Sequence, residues 1–200
     1  MARRDNSALD ELAEELVAVA AEQDFAQFRA SGTLCRGWVK VKNGDVAEGI
    51  SLLRSGSAAY TATGSVIWMP QNVSQLAWAY EIAGQIEEAV AQLDDALQIV
   101  EKTGERWLQA ELHRHKGQLL LRQGHTETAE ALYRKALSIA REQEAKLWEL
   151  RAVMSLARLQ RDQGRRAEAR DLLAPVYGWF TEGFDTADLK EAKRLLDELA

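Results

Sequence analysis

Residues 8–22 place Leu9, Leu12, Leu16 and Val19 on one stripe of a helical wheel, with Asp10, Glu11, Glu14 and Glu15 elsewhere. That is an amphipathic helix. The closing segment has the same character: Leu189, Ala192, Leu195, Leu196 and Leu199 predict the buried face of a final helix, with Asp185 as its N-cap. Between these ends the pattern repeats. Gly44, Gly84, Gly124 and Gly164 stand at steps of 40 residues (84−44, 124−84, 164−124), and a fixed period of this size marks a stacked-repeat architecture.

Three further kinds of position keep step with the glycines. Small residues precede them by seven (Gly37, Ala77, Gly117, Ala157) and follow them by five (Gly49, Ala89, Ala129, Ala169). A bulky apolar column comes next (Leu53, Leu93, Tyr133, Leu173), then a column of Gly56, Ala96, Ala136 and Val176. Small residues let two helix backbones approach, and the bulky residue fills the space beside them. Each glycine suits the left-handed residue that ends a helix and opens a turn. Each unit is therefore a helix, a tight turn and an antiparallel second helix. Gly64, Gly104, Glu144-Ala145 and Gly183 punctuate the second turn of each unit.

The expected helices are 8–22, 25–43, 46–62, 66–83, 86–102, 105–123, 127–143, 146–163, 166–181 and 186–199. Pro175 is expected to bend or break the ninth. The organisation is one repeat domain over 1–200. A capping helix lies in 1–23, helix pairs in 24–63, 64–103, 104–144 and 145–183, and a closing helix in 184–200. The fold class is all-α, a right-handed superhelical solenoid of four antiparallel pairs with a helix at each end. Helices of about 18 residues are about 27 Å long and leave a concave face.

The columns resemble the tetratricopeptide (TPR) repeat, and Leu76-Ala77 with Tyr80, Gly84, Ala89, Leu93 and Ala96 carries that pattern most fully. The 40-residue period is longer than the usual 34 and is similar to the TPR-like arrays of bacterial signalling ATPases and MalT-type regulators. Two stretches resemble something narrower: Glu101 to Trp107 with Glu111, His113 and Gly117 to Gly124, and Arg166 through Ala192. Both look like the C-terminal tail of bacterial proteins that join a class III adenylate/guanylate cyclase, an AAA-type ATPase and a TPR region. The resemblance implies a partner that is a protein or peptide, such as an ATPase or cyclase domain. It carries over no catalytic residue, because no glycine-rich loop ending in Gly-Lys-Ser/Thr occurs in the chain.

Composition narrows the function classes. Net charge is −6 with both signs interleaved, whereas a nucleic-acid surface needs a basic excess on one face. The longest apolar run, Leu16 to Ala21, is far short of the roughly 20 residues that span a bilayer. The single cysteine, Cys35, excludes an internal disulfide and suits a reducing cytoplasm; it is expected in the core. His113 and His115 point about 200° apart on a helix and cannot share a metal. No catalytic, metal or cofactor residue is assigned.

The candidate chemistry lies on the first helix of each pair. Trp38, Trp78, Gln118 and Arg158 form one column, flanked by Leu34, Ser74, Arg114 and Met154 and by Lys42, Ile82, Arg122 and Asp162. A concave groove lined by Trp38, Lys42, Trp78, Arg114, Gln118, Arg122 and Arg158 would grade from aromatic to basic, and aromatic and arginine side chains anchor binding hot spots. The alternative is that Arg114, Arg122 and Arg158 merely pair with Glu81, Glu111 or Asp162 on a solvated face. Trp68, Trp107 and Trp148 are expected to pack repeat against repeat, and Trp179, Phe180 and Phe184 to pin the closing helix. These features point to a non-catalytic protein-interaction and regulatory module. A small-ligand sensor and a homodimerising scaffold are the other readings, with monomer and dimer both open.

Overall fold

The computed structural model describes the backbone of residues 2–200 and the side chains of residues 8–200. The described residues form ten α-helices and no strand: α1 Ala2–Glu22, α2 Ala26–Asn43, α3 Val46–Ala62, α4 Met69–Ile82, α5 Ile86–Thr103, α6 Gln109–Arg122, α7 Thr126–Glu142, α8 Lys146–Asp162, α9 Arg166–Tyr177 and α10 Ala187–Glu198. Two compact units divide at Arg106 and Trp107. The first holds α1 and the pairs α2/α3 and α4/α5. The second holds α6/α7, α8/α9 and α10.

The turns follow a period of 20 residues. On that spacing left-handed φ recurs at Gly44, Gly64, Gly84, Gly104, Gly124 and Gly164, and at Asp24 (φ 54°) and Glu144 (φ 53°), where no glycine stands. At six of these the next N–H donates to the carbonyl five residues back: Phe25 to Ala20, Asp45 to Lys40, Gln85 to Tyr80, His125 to Leu120, Ala145 to Ala140 and Arg165 to Gln160, all at 2.8–2.9 Å. This bond satisfies a carbonyl that the finished helix leaves without a partner. No helix from α2 to α10 has a side-chain N-cap bond, so the geometry of the αL residue sets the turn.

Gly64 and Gly104 open longer connections, and α4 and α6 begin at Met69 and Gln109 rather than near 66 and 105. After Gly64 the chain is held by tertiary bonds: the Tyr60 hydroxyl donates to the Ile67 carbonyl (2.8 Å), and the Trp68 N–H donates to Glu105 Oε1 (2.8 Å). Trp68 itself sits at φ 64°. Helix α9 ends at Tyr177, two residues after Pro175. The N-cap of α10 is Thr186 rather than Asp185, because Thr186 holds the extended conformation there and its hydroxyl donates to the Gly183 carbonyl (2.6 Å).

The aligned columns form the interiors of the pairs. Ala77, Ala89, Leu93, Ala96, Ala129, Ala136, Ala157, Ala169 and Leu173 are completely buried, and so is Leu53. In α2/α3 the approach is closest to the backbone: a Cβ on Gly49 would lie 2.7 Å from the Gly37 carbonyl oxygen. Each buried leucine of the bulky column stabilises its pair by about 1.5–3 kcal/mol relative to exposure. In the second unit Leu189, Ala192, Leu195 and Leu199 of α10 join the same core as α8 and α9.

Helix α1 differs from its sequence pattern. Leu9, Leu12 and Val19 face solvent, Leu12 at 63%, and Ala13 and Ala20 are buried instead. A Cβ on Gly32 of α2 would stand 2.6 Å from Val17 Cγ2 and 3.2 Å from the Ala13 carbonyl oxygen. Close backbone approach selected the small face over the leucine face.

Candidate functional site

In the first unit, α2 and α4 carry the aromatic part of the predicted surface. Trp38 is half-buried against the cluster of Leu34, Val41, Leu53, Tyr60 and Leu76, and the Lys42 ammonium lies over its ring at 4.6 Å. Trp78 is half-buried, and Ile82 beyond it is exposed. Leu34 and Ser74 are buried, as is Met154 in the second unit, so that flanking column belongs to the core. Lys42, Ile82, Arg122 and Asp162 are all exposed. Geometry accounts for the gradient, since each step of four residues rotates a side chain by about 40° around a helix. The stripe 34, 38, 42 therefore runs from core to half-buried to solvent.

The same unit contains a pocket of about 360 Å³ lined by Ser31, Cys35, Tyr60, Trp68, Gln71, Asn72 and Gln75 together with Leu34. Cys35 is exposed there, not in the core as its small-residue helix implied. Partial burial pushes its thiol above the ordinary pKa.

In the second unit the predicted arginine is already engaged. Arg114 Nε and Nη2 donate to the two carboxylate oxygens of Glu111 at 2.7 Å, and Nη1 donates to Gln118 Oε1 (3.0 Å) and Ser155 Oγ (3.4 Å). Both members of this pair are almost wholly buried. Desolvation opposes the charge on Arg114, but the Glu111 bonds outweigh it and raise its pKa further. Burial likewise pushes the nearby Tyr133 phenol up, against the fields of Arg114 and Arg158. Arg158 pairs with Glu191 of α10 (2.7 Å) rather than with Asp162, which takes Arg161 (2.9 Å).

Two groups were missed from sequence. Arg151 grips both carboxylate oxygens of Asp188 at 2.8 Å and stacks over Trp148 at 5.1 Å. Glu149 is only 4% exposed and accepts from Arg141 Nε (2.9 Å) and Lys146 Nζ (2.7 Å). The spacing of Arg151, Ser155 and Arg158 (i, i+4, i+7) was a readable sign of one polar face. Its partners on α10 were not, because they lie some 30–40 residues away in sequence.

Trp148 packs against Ala110, Ile139 and Ala140, whereas Trp68 and Trp107 are exposed. At the closing end Phe180 packs on the core and Trp179 remains 57% exposed, under the Lys146 ammonium at 5.5 Å. His115 is buried. Among the described residues no cluster of three or more His, Cys, Asp or Glu side chains is placed to hold a metal, and no helix is long and apolar enough to cross a membrane.

Residues 69–142 match a family model described as tetratricopeptide repeat, and residues 150–175 match a second model with that description. The chain carries tetratricopeptide repeats. An uncharacterized protein of Rhizobium meliloti (strain 1021) is 28% identical over 158 residues, which is 78% of this chain and 15% of that protein. The chain thus spans about 15% of the length of that relative. Among solved structures, BtubC (BKLC) from P. vanneervenii superposes with a TM-score of 0.77 at 15% identity, over 97% of this chain and 89% of that one. A STAND protein with a tetratricopeptide repeat sensor from Pyrococcus horikoshii gives 0.71 at 15% identity, over 98% and 32%. A Rap protein complexed with Competence and Sporulation Factor gives 0.67 at 13%, over 95% and 57%. At these identities the likeness speaks for the fold: all-α and TPR-like. Tetratricopeptide repeats are in general protein-interaction modules, and typically non-catalytic.

Proposed function

We propose that this chain is a regulatory interaction module that takes a carboxylate-bearing peptide segment or a neighbouring signalling domain on the faces of its first helices. In the first unit the contact residues are Trp38, Lys42 and Trp78; in the second they are Gln118, Arg122 and Arg158, with Arg114 fixing Gln118 from below. The observation that carries the reading is the Lys42 ammonium over the half-buried Trp38 ring in the first unit, with Arg122 solvent-facing at the matching repeat position of the second. Exposed cations next to amphipathic rings suit an acidic ligand with an apolar anchor. Placement beside an ATPase or cyclase domain, in the cytoplasm, belongs to the same proposal. It is supported by the resemblance of residues 101–124 and 166–192 to cyclase–ATPase tails, by the greater length of the Rhizobium relative, and by likeness to a STAND repeat sensor.

The test is capture of a partner from an extract of the source cells by immobilised wild type and by Lys42→Glu/Arg122→Glu. Both positions are exposed, so the double variant keeps its core. A partner held by wild type and lost by the variant supports the reading; equal retention places the interface elsewhere.

A further inference from the structure

A larger groove lies elsewhere in the first unit, between α3 and the turn that joins α4 to α5. Its volume of about 600 Å³ falls within the range of ~300–1,000 Å³ usual for small-molecule sites. Ile50 and Tyr80 line it from the inside, both half-buried against the core cluster of this unit. Two opposite charges line it from the outside: Arg54 of α3 and Glu88 in the first turn of α5, both exposed. Among the described residues neither charge has an ion-pair or hydrogen-bond partner, and the Tyr80 hydroxyl and Gln85 side-chain amide have none either.

The other repeats show why these charges are unpaired. One 40-residue period before Glu88, Glu48 pairs with Lys40 (3.3 Å); the residue that matches Lys40 beside Glu88 is Tyr80. Two periods after Arg54, Arg134 pairs with Glu130 (2.7 Å); the residue that matches Glu130 beside Arg54 is Ile50. The same two replacements thus release both charges and make the apolar inner surface of the groove. Glu88 matches a position six residues before Arg54 on the parallel helix α3, so the two backbone positions are offset by about 9 Å along the helices. A simple anion would meet Glu88, and a simple cation would meet Arg54. A molecule with opposite charges at its two ends and an apolar group between them complements both. A peptide of two or three residues spans ~7–11 Å at 3.3–3.6 Å per residue and has that form.

We propose that this groove binds a short zwitterionic peptide, two or three residues long. Its C-terminal carboxylate pairs with Arg54, its N-terminal ammonium pairs with Glu88, and an apolar side chain rests on Ile50 and Tyr80. The Tyr80 hydroxyl and the Gln85 amide supply hydrogen bonds to the peptide groups between. The site uses none of Trp38, Lys42 and Trp78 and does not depend on the partner surface proposed above.

The test is isothermal titration of the full chain with Ala-Leu and Ala-Leu-Ala, each also as its N-acetyl form and its C-terminal amide. The free peptides are expected to bind, and each blocked form to bind about three- to fivefold more weakly, the range that ion pairs open to solvent support. Arg54→Gln is expected to erase the difference between free peptide and amide while keeping that between free and acetylated peptide. Glu88→Gln is expected to do the reverse. Both positions are exposed, and circular dichroism checks that the helices are kept. Lys42→Glu/Arg122→Glu is expected to bind the peptides as wild type does, which separates this site from the partner face. The proposal is overturned if wild type binds neither free peptide at millimolar concentration, if the blocked forms bind equally well, or if either difference survives its variant.

Discussion

At the scale of single residues, the repeat is enforced by backbone conformation and by the absence of side chains. Glu144 occupies a left-handed position that glycine fills at Gly124 and Gly164, and a side chain in that conformation costs about 1–2 kcal/mol. Glu144→Gly is therefore expected to stabilise the chain by up to ~1 kcal/mol once the added freedom of the unfolded glycine is subtracted, and Gly124→Ala to destabilise it by ~1–2 kcal/mol. Urea titrations of the two variants check both signs. Gly49→Ala tests close approach instead. Its Cβ would meet the Gly37 carbonyl oxygen at 2.7 Å and Val41 N at 2.8 Å, backbone atoms that cannot step aside. A loss of about 1–3 kcal/mol is expected from overpacking, despite the better helix propensity of alanine. The 40-residue ladder was legible because glycine announces a positive φ. Asp24 and Glu144 were harder, since nothing in a charged side chain declares that conformation.

At the scale of elements, α10 is joined to α8 by apolar packing and by two charge pairs, Arg151–Asp188 and Arg158–Glu191. Asp188→Asn retains the shape but weakens a bidentate ionic contact. Faster amide exchange confined to α10 and the neighbouring turn of α8 is the expected outcome in hydrogen-exchange mass spectrometry. Glu149 at the start of α8 gives a pH prediction. Burial raises its carboxyl pKa, but the bonds and charges of Lys146 and Arg141 outweigh that and hold it below the ordinary range. A depressed folded-state value contributes stability above the unfolded pKa of ~4.3. That contribution fades as pH falls through the folded value. Glu149→Gln is expected to cost about 1.5–3 kcal/mol near neutral pH, as hydrogen bonds to charged groups do, and to flatten the acid limb of a Tm-against-pH curve.

At the scale of the whole molecule, the chain is a set of helix pairs whose interiors are nearly identical and whose outward faces are not. Exposed Lys42 and Arg122 make ionic strength the expected control of partner binding. Raising salt from ~0.1 M to ~1 M shortens the screening length from about 10 Å to about 3 Å, so capture should fall steeply, and surface plasmon resonance at several salt concentrations measures it. Capture insensitive to salt would point to an apolar interface, for which the outward leucines of α1 are available.

The local pattern fixes the helical class, the pairing of helices and the small and bulky columns buried inside the pairs. Those depend on local periodicity and on residue size, which repeat four times and so average out accident. Tertiary structure alone decided which face of α1 is buried, where α4 and α6 begin, and which carboxylates the arginines take. Each of these depends on a neighbour distant in the chain: the glycine surface of α2 excluded the leucines of α1, Glu105 holds the connection before α4, and α10 brings Asp188 and Glu191 to α8. The unpaired charges of Arg54 and Glu88 belong to the same class. An arginine or glutamate on a helix reads as an ordinary surface residue until the fold shows what faces it.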